Sequence, residues 1–372
     1  MPDQTPLRIA VVGAGAFGRN HLRVYSELTH HSVPHLRDSP IVPKVGIGEA
    51  DPSTPPIELA AVVDHDSATA AAAGEKYGIP HFTSVEALLE ADLHLNATSV
   101  CVPTIHHLAA ARPLLEAGLD ILIEKPLAPS LADADALIAL AARHGCLIQT
   151  GHLERFNPAV TAARSLLNRP MFFEAHRMSV FTPRSLDVDV VLDLMIHDLD
   201  IVLSLVDSPV HEVRAVGLAV LSPTVDIANV RLEFQNGCVA NFTASRVSTE
   251  RIRKLRFFQP HQYLSLDFAR QDLLLIDVTA AAGLSMSELT DLIARHSKPQ
   301  GPGEHPTAGL SMSKIPVAPG EPLRLELESF LNAVRTRTTP LVDAEAGRRA
   351  LQLALEINAA IAAHAHRAGL NT

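Results

Sequence analysis

The sequence predicts an α/β protein with two domains: a doubly wound parallel sheet, followed by an α+β domain with a largely antiparallel open sheet. Apolar strands alternate with helical stretches over the first 150 residues, and a glycine-rich loop follows the first strand. In the second half, strands instead alternate apolar and polar residues. Strand–helix alternation is typical of parallel sheets, and a period of two is typical of half-buried antiparallel strands. We therefore expect domains at residues 1–150 and 151–372.

Composition limits the class of protein and of partner. A chain of 372 residues with 47% hydrophobic residues is long and apolar enough for two globular domains. A net charge of -10 without a dense Lys/Arg tract argues against nucleic acid and membrane surfaces, and no apolar run reaches membrane length. Three widely spaced cysteines indicate free buried thiols in a reducing compartment, and the histidines lack metal-site spacing. We expect a cytoplasmic protein with a small-molecule partner and no metal.

The first strand and loop predict a dinucleotide site. An apolar run at residues 7–12 precedes Gly13-Ala14-Gly15-Ala16-Phe17-Gly18, and a helical stretch follows at about 19–28. In this fingerprint the first glycine allows a tight turn, the second lets the backbone approach a pyrophosphate, and the third lets helix pack on strand. The helix N-terminus then faces the phosphates. The loop is therefore expected to bind the cofactor.

The fingerprint also requires an acidic residue, about 20 positions further on, for the ribose hydroxyls. Counting alone gives Asp38, which lies among prolines with no strand before it. Asp64 instead ends the apolar run at residues 59–63, so we choose Asp64. This choice predicts an irregular insertion at about residues 30–57, at the end of the sheet away from the cofactor.

Two later strands end at the same edge of the sheet. The strand at 97–102 ends at Pro103 and Thr104, just before a helix that begins at His107. The strand at 121–123 ends at Glu124-Lys125-Pro126. Ligands of open α/β sheets bind beyond the carboxyl ends of the strands, so these side chains are expected at the site. Taken alone, Glu-Lys-Pro is equally consistent with a surface ion pair.

Other elements follow from periodicity and caps. Helices are predicted at 68–77, 107–117, 130–143, 159–167, 323–335 and 344–366, and further strands at 147–150, 251–258, 262–268 and 273–278. Residues 228–234 and 240–242 are predicted to form a hairpin through a three-residue loop with Gly237 left-handed, because this register keeps one face apolar. Residues 298–320 are predicted to form a long mobile loop.

One helix of the second half, at residues 190–206, is apolar nearly all round and predicted to be buried. Asp193 and His197 are four positions apart on it and share a face. A carboxylate and an imidazole in such a helix either satisfy each other or line a site, and we favour the site. Asp198 and Asp200 lie on other faces and are interpreted as helix-end or domain-contact groups.

These motifs, in this order, resemble the glucose-fructose oxidoreductase, inositol dehydrogenase and rhizopine-catabolism (Gfo/Idh/MocA) family over essentially the whole chain. The segment Gly151-His152-Leu153-Glu154-Arg155-Phe156-Asn157-Pro158 looks more narrowly like the branch that contains UDP-N-acetylglucosamine 3-dehydrogenases, which work with an aminotransferase in lipid A sugar synthesis. The chain departs from the family in its long insertion and in Met195, where many members have glycine.

The resemblance implies roles for individual residues. NAD would be the cofactor, Lys125 would stabilise an alkoxide, and His197 would act as general base with Asp193 orienting it or binding a sugar hydroxyl. The substrate would be contacted by His152, Arg155 and Asn157. Arg155 would either bind a diphosphate of the substrate or merely pair with Glu154. The peptide bond before Pro126 is often cis in this family, and a homo-oligomer, either dimer or tetramer, is expected.

Three functions remain open at this stage. The first is oxidation of the 3-hydroxyl of UDP-N-acetylglucosamine or a related nucleotide sugar. The second is the same chemistry on a free sugar or polyol such as an inositol. The third is a non-catalytic dinucleotide-sensing regulator, which does not require Lys125, Asp193 and His197 together.

Overall fold

A computed structural model of the chain describes residues 5–32, 56–182, 188–279, 284–285, 287–288, 290–291 and 311–370. Asp38, most of the predicted insertion and residues 298–310 of the predicted loop lie outside these ranges. The chain divides into two compact units. The first comprises Met1–Leu153 and Glu321–Leu351, and the second comprises Glu154–Gly320 and Gln352–Thr372.

The first unit contains the predicted parallel sheet. Its six strands are β1 (Leu7–Val12), β2 (Ile57–Val63), β3 (His81–Phe82), β4 (Ala97–Val100), β5 (Asp120–Glu124) and β6 (Ile148–Gly151). All neighbours are parallel, in the order β3-β2-β1-β4-β5-β6. This is the doubly wound Rossmann order, in which the strand order reverses between β1 and β4. The predicted fold class is confirmed.

Helices of the first unit connect these strands. They are α1 (Gly18–Ser32), α2 (Ser67–Tyr77), α3 (Val85–Glu90), α4 (His107–Glu116) and α5 (Leu131–His144). Side chains of Asp66, Ser84 and Ser130 cap α2, α3 and α5 by accepting backbone N–H groups. The sequence did not predict β3 or α3, because two and six residues are too short to show a period.

The second unit contains an eight-stranded sheet. Its strands are β7 (Phe172–Met178), β8 (Val210–Leu218), β9 (Ile227–Phe234), β10 (Val239–Ser245), β11 (Ile252–Gln259), β12 (Gln262–Asp267), β13 (Asp272–Asp277) and β14 (Ser311–Ile315). The order is β14-β13-β12-β11-β7-β10-β9-β8, and only the β7–β10 pair is parallel. β14 corrects the loop predicted over residues 298–320, because the ladder of β13 fixes Ser311–Ile315 as an edge strand.

The predicted hairpin between β9 and β10 is confirmed in register. Leu232 pairs with Ala240 and Val230 with Phe242, and Gly237 has φ +82°. The apolar partners are buried, whereas Arg231 and Glu233 are exposed on the other face. Burial of one face therefore determined the length of the loop.

Two helices of the second unit flank the candidate site residues. α6 (Pro158–Arg164) begins after Asn157, whose side chain accepts a hydrogen bond from Ala159 N, and it ends three residues earlier than predicted. α7 (Ile196–Leu205) follows a π-helical turn at Val191–Met195. The predicted continuous helix is therefore irregular at its start, where Asp193 lies.

The last two helices are α8 (Pro322–Thr336) and α9 (Ala344–Arg367). Apolar residues of α8 join the core formed by α1, β1 and β2: Leu323, Leu327, Phe330, Leu331 and Val334. Residues 321–351 therefore group with the first unit, which differs from the predicted division at residue 150. No helix among the described residues is both long and apolar enough to cross a membrane.

Candidate active site

The three glycines of the loop after β1 occupy different environments. A Cβ on Gly13, whose φ is +96°, would lie 2.8 Å from the carbonyl oxygen of Cys101. A Cβ on Gly18 would lie 1.8 Å from the Gly13 carbonyl oxygen, so helix packing excludes any side chain there. A Cβ on Gly15 would meet nothing within 4 Å. Gly13 and Gly18 are thus required by packing, and Gly15 leaves open space in front of the backbone, next to the exposed Ala16 and Phe17.

Asp64 lies directly after β2 and beside this loop. Its Oδ2 accepts a hydrogen bond from Ala14 N at 2.7 Å, and its Oδ1 accepts one from Asp66 N at 3.0 Å. The side chain is only partly buried. The structure thus places Asp64 where the fingerprint requires the acidic residue, at the end of the second strand.

Lys125 follows the last residue of β5, on the same edge of the first unit. It is half-buried, and the Lys125–Pro126 peptide bond is cis, as the resemblance implies. Lys125 N donates to Glu124 Oε2 at 3.3 Å. Pro103 and Thr104 follow β4, the neighbouring strand. The structure therefore brings the residues predicted for this edge to the carboxyl ends of adjacent strands.

His21 on α1, which the sequence reasoning did not single out, contacts the predicted site residue Glu124. Its Nε2 lies 2.9 Å from Glu124 Oε1, and both side chains are buried. A Cβ on Gly151 would lie 2.9 Å from the Glu124 Oε2, so the carboxyl group fills the space left by that glycine. His21 shares the buried face of α1 with apolar residues. A polar side chain within such a face is the signal that could have identified it.

His107 begins α4 and is 1% exposed. Its Nε2 lies 3.0 Å from the Val102 carbonyl oxygen and its Nδ1 lies 3.3 Å from the Leu127 carbonyl oxygen. Burial lowers the pKa of His107, although the two carbonyl groups oppose this shift. His107 thus joins the loop after β4 to the loop after β5, while its direct contact with the cofactor stays a prediction.

In the second unit, Asp193 and His197 are partly buried, whereas Asp198 and Asp200 are 3% and 2% exposed. The helix is therefore not buried all round, and its more accessible side carries the two residues predicted for catalysis. Asp198 lies in the first turn of α7, which agrees with the interpretation of this residue as a helix-end group, whereas Asp200 lies further along the helix. Both form ion pairs with arginines inside the second unit, with Arg177 and Arg155 respectively.

Arg177 on β7 is the centre of a buried charge network. Its Nε and Nη2 donate to the Asp198 carboxylate at 2.9 and 2.8 Å, and its Nη1 donates to Glu154 Oε1 at 2.9 Å. Burial alone would lower the pKa of Arg177, but the two carboxylates outweigh it and raise the pKa above its ordinary value. The network therefore holds α7 and residue 154 to β7.

The residues predicted to contact the substrate have structural partners. Arg155 Nη1 donates to Asp200 Oδ1 at 3.2 Å, so Asp200 is an ion-pair partner of Arg155 that the sequence did not predict. Asn157 Nδ2 donates to Glu154 Oε2 and to the Phe268 carbonyl oxygen, both at 3.1 Å. Together with its cap on α6, these bonds engage the whole Asn157 amide. These bonds do not test substrate binding, so the contacts of Arg155 and Asn157 with the substrate stay predictions.

His152 was also predicted to contact the substrate, and it is 1% exposed in the first unit. Such burial leaves little of the ring for a ligand, so a substrate contact of His152 stays a prediction.

The three cysteines are free, as predicted; Cys238 is buried, and Cys101 and Cys146 are partly buried. Burial raises the pKa of Cys238 to about 11 and raises that of Cys101 well above its ordinary value. Neither is therefore a thiolate at neutral pH, and thiol chemistry at these two positions is not expected.

Family models match most of the chain. Residues 7–152 match the model of the oxidoreductase family with an NAD-binding Rossmann fold, and residues 159–258 match the C-terminal domain model of the same Gfo/Idh/MocA family.

Individual relatives agree with these models. A UDP-N-acetylglucosamine 3-dehydrogenase from Acidithiobacillus ferrooxidans is 32% identical over 97% of this chain and 99% of its own length. One of its solved structures matches with a TM-score of 0.78, covering 96% of this chain and 99% of the other. An inositol 2-dehydrogenase from Corynebacterium glutamicum is 29% identical over 56% of each chain.

An oxidoreductase from Agrobacterium radiobacter, solved with NAD+, L-tartaric acid and magnesium, matches with a TM-score of 0.73 over 96% of this chain and 97% of its own. At 15% identity, this similarity concerns the fold alone. The doubly wound parallel sheet of the first unit agrees with the NAD-binding Rossmann fold that the first family model describes. The chain therefore belongs to the Gfo/Idh/MocA family of NAD-binding oxidoreductases.

Proposed function

We propose that the protein is an NAD-dependent dehydrogenase that oxidises the 3-hydroxyl of UDP-N-acetylglucosamine or of a closely related nucleotide sugar. The observation that carries this proposal is the similarity, over nearly the full length of both chains, to a UDP-N-acetylglucosamine 3-dehydrogenase. The placement of Lys125 at the carboxyl end of β5, on the sheet edge that also carries the open glycine loop after β1, supports the reaction class independently.

The first unit fits NAD. Gly15 leaves space for close approach of a pyrophosphate, α1 begins beside it at Gly18, and the partly buried Asp64 carboxylate lies at the end of β2. When bound, NAD supplies the hydride acceptor. The residues that would hold it are the glycine loop, Asp64, and the edge formed by Pro103, Thr104 and Glu124.

Two residues are proposed to serve the hydroxyl that is oxidised. Hydride leaves readily only from an alkoxide-like carbon, so the Lys125 ammonium would stabilise the developing negative oxygen, by about 3 kcal/mol for a well-placed donor. His197 would take the hydroxyl proton as general base, which typically contributes about 10²- to 10⁴-fold. Asp193, four residues before His197, would orient its ring or bind a sugar hydroxyl.

The second candidate is a dehydrogenase of a free sugar or polyol. It is favoured by the similarity to inositol 2-dehydrogenase, although that match spans little more than half of each chain. A regulator without turnover is disfavoured, because it does not require Lys125, Asp193 and His197 together.

Purified protein should be incubated with NAD and a panel of UDP-sugars and polyols, and reduced cofactor followed by absorbance.

A cytoplasmic location, a homo-oligomeric assembly and a role in lipid A sugar synthesis are further parts of this proposal. Three free cysteines are consistent with a reducing compartment.

The proposed roles are tested with Lys125→Met and His197→Asn. Each should lower turnover by at least about 10²-fold, since each removes a group that acts only on the reacting hydroxyl. The His197 variant should still bind NAD, because the cofactor loop belongs to the first unit and His197 to the second. Turnover and NAD affinity should be measured on the same preparations.

Melting temperature provides the control for these variants. If His197 only satisfies Asp193 structurally, His197→Asn would chiefly cost stability, by about 1 to 3 kcal/mol for an unpaired buried group. A destabilised but fully active His197→Asn protein would remove the general-base assignment.

A further inference from the structure

A cavity of about 520 Å³ lies in the second unit, next to the helix that carries Asp193 and His197. Its lining contains three arginines, two hydroxyl side chains and two apolar side chains: Arg177, Met178, Ser179, Thr182, Leu194, Arg251 and Arg253. Leu194 directly follows Asp193 in the π-helical turn, so the cavity reaches the proposed catalytic segment. Its volume is within the range of small-molecule sites.

Two arginines of this cavity form a like-charge pair across neighbouring strands, which is an unfavourable arrangement in a sheet. Arg253 on β11 lies directly opposite Arg177 on β7 in an antiparallel pair. Arg251 directly precedes β11 and lines the same cavity. Like charges directly opposite each other destabilise a sheet, so this arrangement requires a compensating negative charge.

Among the residues that the structure describes, the two carboxylates that pair with these arginines are engaged chiefly by Arg177. The carboxylates of Glu154 and Asp198 are both bound by Arg177 at 2.8–2.9 Å. Arg253 reaches only Glu154, at 3.9 Å, and Arg251 has no ion-pair partner among the residues that the structure describes. The side chains of Arg251 and Arg253 are exposed, so both guanidinium groups are accessible to an anionic ligand at the cavity.

We propose that Arg251 and Arg253 bind the diphosphate of a nucleotide-sugar substrate in this cavity. The inference rests on the proposed function and replaces Arg155, which is engaged with Asp200, as the candidate for this contact. Two guanidinium groups match the two negative charges of a diphosphate, and the planar fork of each can bind phosphate oxygens in a bidentate manner. The Ser179 and Thr182 hydroxyls add donors. A free sugar or polyol offers no charge for these residues, so the cavity favours the nucleotide sugar.

The test uses Arg251→Gln, Arg253→Gln and the double variant in the full-length protein. With NAD saturating, each single change should raise KM for UDP-N-acetylglucosamine at least about tenfold and the double change about 100-fold, with a much smaller effect on kcat. KM for NAD should not change. Calorimetric titration should show that UDP binds the wild type more tightly than uridine does, and that the double variant loses this difference.

Arg256→Gln is the matched control. Arg256 lies on the same strand but on the opposite face, where it pairs with Glu174 at 3.5 Å, so KM should stay at the wild-type value. The melting temperature of Arg253→Gln should not fall, since the substitution removes a like-charge pair. A fall without a change in KM would instead indicate a structural role with Glu154 and overturn the proposal.

The outcomes separate this inference from the proposed function. If the wild type oxidises UDP-N-acetylglucosamine and the double variant keeps its KM, the diphosphate site is wrong and the function stands. If the wild type binds UDP through these arginines but oxidises no UDP-sugar, the site stands and the proposed reaction is wrong. Equal binding of UDP and uridine to the wild type overturns the site.

Discussion

At the scale of single residues, the position of Lys125 depends on the buried carboxylate of Glu124. Glu124 accepts from Lys125 N, lies 2.9 Å from His21 Nε2 and packs against the backbone at Gly151. Residues of α1 and β6 thus both contact the side chain of Glu124, the last residue of β5. A substitution of His21 or Gly151 is therefore expected to shift Glu124 and Lys125, although neither substituted residue contacts a ligand itself.

Asp64 determines which dinucleotide the first unit prefers. A 2'-phosphate about 4 Å from its carboxylate would be repelled by about 1 to 4 kcal/mol, so we expect NAD to be used in preference to NADP. Asp64→Ser should reduce the preference for NAD over NADP, because the substitution removes the negative charge but retains a hydrogen-bonding group. The ratio of kcat/KM for the two cofactors measures this, and equal turnover of both by the wild type would contradict the role given to Asp64.

At the scale of elements, the sequence predicted what local patterns determine and missed what distant pairing determines. β1, β2 and β5 contain apolar runs, and the β9–β10 register follows from alternation within one hairpin. By contrast, the partner of Asp198 is Arg177, on a strand that the sequence did not predict. Neither residue carries a local signal for the other, since 21 positions separate them.

The segment between α1 and β2 is predicted to be dispensable for the cofactor. α1 begins beside the glycine loop and extends for 15 residues, about 22 Å, before it ends at Ser32. The chain returns at Pro56, whose carbonyl oxygen accepts from Leu7 N at the amino end of β1. Deleting residues 32–55 with a short glycine bridge should therefore leave the Kd for NAD within a few-fold.

Calorimetry on the deletion variant, with a melting curve as the folding control, provides the measurement. A folded variant that had lost NAD would show that the insertion reaches the cofactor, and Asp38 would have to be reconsidered.

At the scale of the whole molecule, the first unit is discontinuous in sequence. Its core includes five apolar residues of α8, which follows the entire sheet of the second unit in the chain. The predicted division at residue 150 could not include them, because an amphipathic helix near the C-terminus gives no indication of which sheet it covers. α9 continues from residues of the first unit into residues of the second.

A fragment of residues 1–153 is therefore expected not to unfold cooperatively. Loss of five buried apolar side chains, at about 1.5 to 3 kcal/mol each, is comparable to the whole stability of a typical domain. Joining residues 321–351 to this fragment through a glycine linker should restore a cooperative transition, measured by circular dichroism in urea. A cooperative, NAD-binding fragment 1–153 would show that α8 is not required by the core.

The environments of the three loop glycines also bear on how this protein could change during evolution. Gly13 and Gly18 are required by the backbone whether or not a ligand binds, whereas a methyl group at Gly15 would meet only empty space. A descendant that abandoned dinucleotide chemistry would remain under selection at the first two positions and drift at the third. Within this loop, position 15 is thus the one expected to change in a lineage that no longer uses its cofactor.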